Sequence, residues 1–452
     1  MYSSGDDIGA LVADIGSYST RIGFAGDDMP KAYFPSVVGA TQVDAEEGAM
    51  KDPVKDYHFD ISRFRENMAL ENVVKDGLIA DWDLLEKIWE HSLSKYLKVD
   101  MKDTPVLVAE KPYNPPEMRR KMTEIMLEKF NAPAVFLSKD SVLSCFACGR
   151  TSGLVIDIGA SATLISPVYD GWLESKGMNR SVVGGRALDA YFSSLLSHHQ
   201  SGGVLKPLFR LEKEIGQDGV TVISKLKELI NVHPTYDAFM SLEIARDAKE
   251  SVCRVADTPV SEMEVKFSSV PTSLYELPDG TVIDLGIERF RVPELLCDNT
   301  LLDLEYPDLV TLGCGISLSS LSSSSSAVSP SPSTPSSIPS FSRDNIPNLV
   351  VDSMLRCDSE IQSSLLANLV LAGGGSCFDG LTERMKSEVE KIVQPISPGW
   401  RVKVMSSGVS ERPVCAWLGG SILASLGSFH EMWLTRQEYG EYGAALVDRK
   451  CP

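Results

Sequence analysis

Apolar positions along the chain recur with two periods. GALVADIG (residues 9–16) and STRIGFAG (19–26) alternate apolar and polar residues about a tight turn and predict two short paired strands. DWDLLEKIWEHSLSKYL (81–97) repeats instead at helical spacing, with Trp82, Leu85, Trp89 and Tyr96 on one face and Asp81 as N-cap. TPVLVAEKP (104–112) predicts a strand, PPEMRRKMTEIMLEKFN (115–131) a helix opened by prolines, PAVFLS (133–138) a strand, and DSVLSCFACGR (140–150) a helix. LVVDSMLRCDSEIQSSLL (349–366) predicts one further strong helix. This alternation predicts a mixed α/β fold.

The first apolar run ends in a turn that the chain writes twice. DIGSYST (14–20) and DIGASAT (157–163) share Asp-Ile-Gly, three residues, then Thr, and each follows an apolar strand. Gly16 removes a side chain, so backbone N–H groups can approach a ligand, and successive N–H groups of a tight turn form an anion-binding concavity. Ser17 adds a hydroxyl, and Arg21 on the returning strand can reach a phosphate. Asp14 repels phosphate, but it can hold Mg²⁺ through water. Asp157, Gly159, Ser161 and Thr163 follow in equivalent order. Two such hairpins facing each other would clamp a polyphosphate from both sides, with both aspartates near one metal. Alone, each turn is equally an ordinary hairpin; two copies carry more weight.

Two further clusters fit a cleft. NLVLAGGGSCFDGLTERM (368–385) runs from a strand into Gly373, Gly374 and Gly375, where backbone can approach a base or ribose, with Phe378 to cover it; a ligand-free strand-to-helix turn reads the same way. In LEIARDAKESVCRV (242–255), Arg246, Lys249 and Glu250 share a helical face. Glu250 would accept from a ribose hydroxyl and Lys249 would pack over a base, although such a triplet is more often a solvated face.

Two segments break the pattern. Residues 40–57 are acidic and turn-rich and predict an exposed loop; residues 317–342 are a Ser/Pro run, expected to be disordered and inserted within a domain. The length of 452 residues accommodates two to four lobes. A net charge of −19 removes any general attraction to nucleic acid. No apolar window of about 18 residues predicts a membrane span, and MYSSGDDIGA has no signal-peptide character. Nine scattered cysteines predict free thiols; the C-x-x-C of Cys145 and Cys148 reads as two small residues of a buried helix.

The two phosphate-type hairpins, GGG after a strand, WLGGSILASLGSF (417–429) and the terminal RKCP (449–452) together resemble the actin superfamily, supported by FAGDDMPKAYFPSVVG (24–39) and RQEYGEYG (436–443). Within it, GALVADIGSYSTRIGFAG, ENMALENVVKDGLIADWD and CRVADTPV…VPTSLYELPDG resemble the nuclear actin-related proteins of the fourth class, which include the BAF 53-kilodalton subunits, and the plant members above all. The resemblance covers nearly the whole chain. It implies the two-lobed α/β superfold shared by actin, heat-shock chaperones and sugar kinases, with ATP and Mg²⁺ in a central cleft. The lobes would be residues 1–153 and 154–430, with 431–452 returning to the first.

Carried over position by position, the resemblance assigns Gly16, Ser17, Tyr18 and Arg21 to the first phosphate loop and Asp157, Gly159, Ala160, Ser161 and Ala162 to the second. Gly185, Arg246, Lys249, Glu250, Gly373, Gly374 and Phe378 fall on the sugar and base side, and Asp14 and Asp157 on the metal side. The chain also departs from the family. Asp140 and Leu164 stand where actins carry the glutamine and histidine that position the attacking water; Ala160 replaces a ribose-contacting aspartate and Pro413 a base-side lysine. Leucine relays no proton and Asp140 adds charge near phosphates, so hydrolysis should be depressed, with weak ATPase activity left open.

The resemblance therefore implies a non-catalytic nuclear subunit of chromatin-remodelling and histone-acetyltransferase complexes, with the cytoplasm as a second location. Its partners would be nuclear actin, the long helix of a remodeller ATPase and other complex subunits, histones among the candidates, without sequence-specific nucleic-acid binding. A filament-forming cytoskeletal ATPase is the alternative, disfavoured because residues 40–57 and TLLDLEYPDLVTLGCGIS (300–317), the two halves of the actin filament contact, both diverge. A kinase or chaperone of the same superfold is the third reading, and the terminal motifs argue against it.

Overall fold

A computed structural model describes residues 9–43, 54–198, 205–215, 222–266, 270–298, 341–342 and 344–452. Most of the Ser/Pro run and the 300–317 segment lie outside these residues. Two mixed sheets organise the rest. The first runs in the order 434–435, 134–139, 106–110, 11–15, 19–24, 32–35. The second runs 341–342, 179–181, 163–169, 153–158, 369–372, 404–406, with 172–173 paired onto 163–169.

Each sheet contains the same three-strand unit. Leu11–Ile15 pairs antiparallel with Ser19–Phe24, placing Asp14 opposite Arg21, and parallel with Val106–Glu110, placing Asp14 beside Ala109. Gly153–Ile158 pairs antiparallel with Thr163–Tyr169, placing Asp157 opposite Leu164, and parallel with Leu369–Ala372, placing Asp157 beside Ala372. The repeat therefore extends beyond the hairpin to a third strand, and both hairpin turns emerge at the carboxyl ends of these parallel strands, where α/β sheets bind ligands.

Apolar faces build a separate core on each sheet. Leu11, Val12, Ile22, Val106, Val108, Trp89 and Trp417 are fully or nearly fully buried in the first, and Leu154, Ile156, Ile165, Tyr191, Phe192 and Leu371 in the second. The helices Asp140–Ala147 and Cys415–Ser425 pack against one another beside the two cores. Gly419 lets them approach: a Cβ there would overlap the Leu143 carbonyl. Trp417 Nε1 donates to Val12 O at 3.0 Å.

The predicted helices and strands between residues 81 and 150 are present, with Asp81 Oδ1 accepting from Leu84 N at 2.9 Å as the expected N-cap. The 40–57 loop is corrected: its described ends are strands, with Val37–Val43 pairing antiparallel with Val54–His58. The acidic, turn-rich composition belongs to residues 44–53, which lie outside the described residues. The single helix over 349–366 is also corrected. It is two helices, Ile346–Leu355 and Ser359–Leu366, because Cys357 and Asp358 leave helical geometry and Asp358 becomes extended. The return to the first sheet begins earlier than residue 431, since Trp417, Ala424 and Phe429 are already in its core. Residues 341–342 form a strand against 179–181, so the end of the Ser/Pro run is structured.

The eight described cysteines form no disulfide; Cys145 is buried in its helix as expected, but Cys148 is corrected, because it lies past the last helical residue as the C-cap and is only half-buried. Among the described residues no helix is long and apolar enough to cross a membrane.

Candidate functional site

The two glycine turns face each other across a cavity of about 710 Å³, within the usual range for small-molecule sites. Each turn closes on itself in the same way: Gly16 N donates to Ser19 O at 3.1 Å, and Gly159 N to Ala162 O at 3.0 Å. The turns also meet, since Ser17 Oγ and Ser161 Oγ share a hydrogen bond of 3.0 Å. Asn72 Nδ2 and Arg186 Nη2 both donate to Ser17 O, at 3.0 and 2.6 Å, and fix the first turn in the cleft. The helix Gly185–His198 starts against the second turn, with Gly185 N donating to Gly159 O and Arg186 N to Ala160 O.

Every residue expected in the site lines this one cavity: Asp14, Gly16, Ser17, Tyr18, Arg21, Asp157, Gly159, Ala160, Ser161, Ala162, Gly185, Arg246, Lys249, Glu250, Gly373, Gly374 and Phe378. Their side chains are not all disposed as expected. Tyr18 leaves the phosphate turn, donates to Glu243 Oε2 at 3.2 Å, and lies under the Arg246 guanidinium, 4.0 Å from ring centroid to Cζ. Lys249 is no solvated residue: it is buried, and its Nζ donates to Asp189 Oδ1 at 2.6 Å. Burial holds the Asp189 carboxyl above its ordinary value, and the Lys249 charge pulls it back. Arg246 Nη1 is buried without a hydrogen-bond partner, a donor available to a ligand. Gly373 has φ +83°, and a Cβ there would overlap Asp157 Oδ1 and the Ile158 carbonyl.

The acidic end of the cleft is more heavily paired than the sequence suggests. Asp14 receives Arg21 Nη1 at 2.6 Å across the strand pair. Burial is the largest single influence and works against that guanidinium, but Asp14, Tyr33 and Asp157 together outweigh it and its pKa is raised. Asp157 has Leu164 opposite, so its cation comes from the other sheet: Lys111 Nζ lies 2.9 Å from Asp157 Oδ2 and 2.6 Å from Asp140 Oδ2. Burial alone would lower the Lys111 pKa; the two carboxylates reverse this and hold it well above its ordinary value. Burial pushes the Asp140 carboxyl up. Lys111 was missed among the candidates. Its signal was position, immediately after a strand parallel to the one carrying Asp14.

A protein-family model described as "Actin" matches residues 5–452. The chain belongs to the actin family. Its fold is accordingly the two-lobed α/β actin fold. Over their full lengths it is 37% identical across 480 residues to "Actin-related protein 4" of Oryza sativa subsp. indica, with all of both chains covered. It is 34% identical across 476 residues to the protein of that name from Arabidopsis thaliana, again with full coverage. The Schizosaccharomyces pombe protein of that name is 30% identical across 465 residues, covering all of this chain and 99% of its own. Similarity to fourth-class actin-related proteins thus extends from end to end.

Within the actin-family cleft, the residues present fit a nucleotide better than they fit a metal ion. Glycine-lined turns, the unpartnered Arg21 Nε and Arg246 Nη1, and a cavity between them suit a polyanion. The metal side does not fit. Asp14 and Asp157, expected to hold Mg²⁺ through water, each have Oδ2 paired with a cation of the chain, so their charge is already compensated. Leu164, buried opposite Asp157, has no group to orient a water, and Asp140 has one oxygen held by Lys111 while its Oδ1 is without a hydrogen-bond partner.

Proposed function

We propose that this chain is a non-catalytic actin-related subunit of nuclear chromatin-remodelling and histone-acetyltransferase complexes, and that it holds ATP as a structural part with little or no turnover. Full-length similarity to fourth-class actin-related proteins supports the assignment most strongly. The cleft supports the second clause. Phosphoryl transfer depends on positioning a water and on electrostatics. A leucine and a lysine-bound aspartate stand at the two positions where the family resemblance puts the water-orienting groups. The partners in this reading are nuclear actin and the long helix of a remodeller ATPase. A filament-forming ATPase would need the water-orienting pair that positions 140 and 164 lack. Tandem affinity purification of the tagged full-length chain from nuclear extract tests the reading. Recovery of a remodeller ATPase together with nuclear actin is expected; recovery of neither overturns it.

A further inference from the structure

The cleft contains three carboxylates at its acidic end, Asp14, Asp140 and Asp157, and two cations of the chain among them. We propose that Lys111 is a built-in counter-ion that stands in for a divalent metal, so that the cleft excludes the metal and takes its nucleotide without it. The second clause rests on the nucleotide reading above; the first does not.

Lys111 Nζ bridges Asp140 Oδ2 and Asp157 Oδ2 at 2.6 and 2.9 Å, two carboxylates from different elements. Two of its three N–H donors are thereby used, and the third remains for a phosphate oxygen. Its backbone is placed by the strand Val106–Glu110 on one side and by buried Pro112 and Tyr113 on the other. Tyr113 is pinned in turn, donating to Asp76 O at 2.8 Å. The ammonium therefore sits on a short leash.

The repeat shows what is unusual about it. Two residues past Ala109, the partner of Asp14, comes Lys111; two residues past Ala372, the partner of Asp157, comes Gly374. One copy of the unit offers an open glycine there and the other a cation that crosses to the opposite hairpin. Mg²⁺ keeps several waters at about 2.0–2.1 Å and reaches carboxylates through them. Such a hydrated ion beside Asp157 would occupy the space of the Lys111 ammonium and meet its charge. Asp14 offers no uncompensated charge either, because Arg21 holds its Oδ2 at 2.6 Å.

Manganese binding followed by electron paramagnetic resonance tests this on the full-length protein. The wild type is expected to bind no Mn²⁺ that depends on Asp157. Lys111→Met is expected to bind one Mn²⁺ at least about tenfold more tightly, the effect of removing a like charge a few ångströms from a divalent ion. The gain should vanish in the Lys111→Met, Asp157→Asn double variant. Lys111→Gln replaces Lys111→Met if circular dichroism shows the latter unfolded. Wild-type Mn²⁺ binding that Asp157→Asn abolishes overturns the proposal, as does absence of any gain in the Lys111 variants. A fluorescent ATP analogue gives the second arm. Wild-type affinity should change less than about twofold between excess chelator and saturating Mg²⁺, for a site whose counter-ion is covalently supplied. Affinity that collapses in chelator overturns metal independence. Failure of the analogue to bind under either condition removes the nucleotide reading and leaves the Mn²⁺ comparison to decide the role of Lys111.

Discussion

Glu438 ties together two short motifs far from the cleft. It closes a capping box with Thr435 at the start of the helix Arg436–Tyr442, and it receives Lys450 Nζ at 2.7 Å. RQEYGEYG and the terminal RKCP, both part of the actin resemblance, are thus one structural unit. Burial opposes the Glu438 charge, but Lys450 and Thr435 outweigh it and lower its pKa below 4.5. A carboxylate lowered in the fold stabilises above its unfolded pKa and loses that contribution as pH falls through its folded one. Glu438→Gln should therefore lower the thermal midpoint near pH 7, and the gap to wild type should shrink once pH drops below about 4.5. A gap that persists or widens in acid would contradict this. At the same scale the cleft was partly legible. Apolar strands ending in Asp-Ile-Gly placed both turns, because such turns depend on local backbone. Lys111 and the Lys249–Asp189 pair were not legible, because they join residues 46 and 60 positions apart.

Elements were read best where periodicity was strong and their ends were chemically marked. The helix from Trp82 has its apolar face and its Asp81 cap, and the strand Val106–Glu110 has its buried run and a proline two residues beyond. Composition misled at residues 40–43 and 54–57, whose polar character belies their pairing as strands, and helical periodicity misled where it continued across the break at Cys357. The helix Cys415–Ser425 was legible as a motif but not as a structural joint, since its apolar residues show no single face and its glycines look like defects. They are contact points. Gly419 lies against the Leu143 carbonyl, which is backbone and has little room to yield. Gly419→Ala should destabilise the protein by about 1–3 kcal/mol in urea unfolding, the usual cost of overpacking a tight contact. Unchanged stability would show that the two helices separate easily.

At the scale of the whole molecule the duplicated three-strand unit explains both the fold and the cleft. Two sheets present equivalent turns at equivalent strand ends, and a polyanion between them would be held by both. The copies have diverged in chemistry. The first supplies Arg21 from its own hairpin, whereas the second has Leu164 in the same register and borrows Lys111 from the first sheet. That exchange joins the lobes by charge, puts Leu164 opposite Asp157 and ties one oxygen of Asp140 to Lys111. In this reading the cleft retains nucleotide as a structural part. The decisive measurement incubates the full-length protein with radiolabelled ATP, isolates the protein, and identifies the bound nucleotide by chromatography while following phosphate release. Intact ATP at about one per chain with no sustained phosphate release is the predicted result, one site per two-lobed cleft. Bound ADP with steady phosphate release, or protein that retains no nucleotide, would contradict the account.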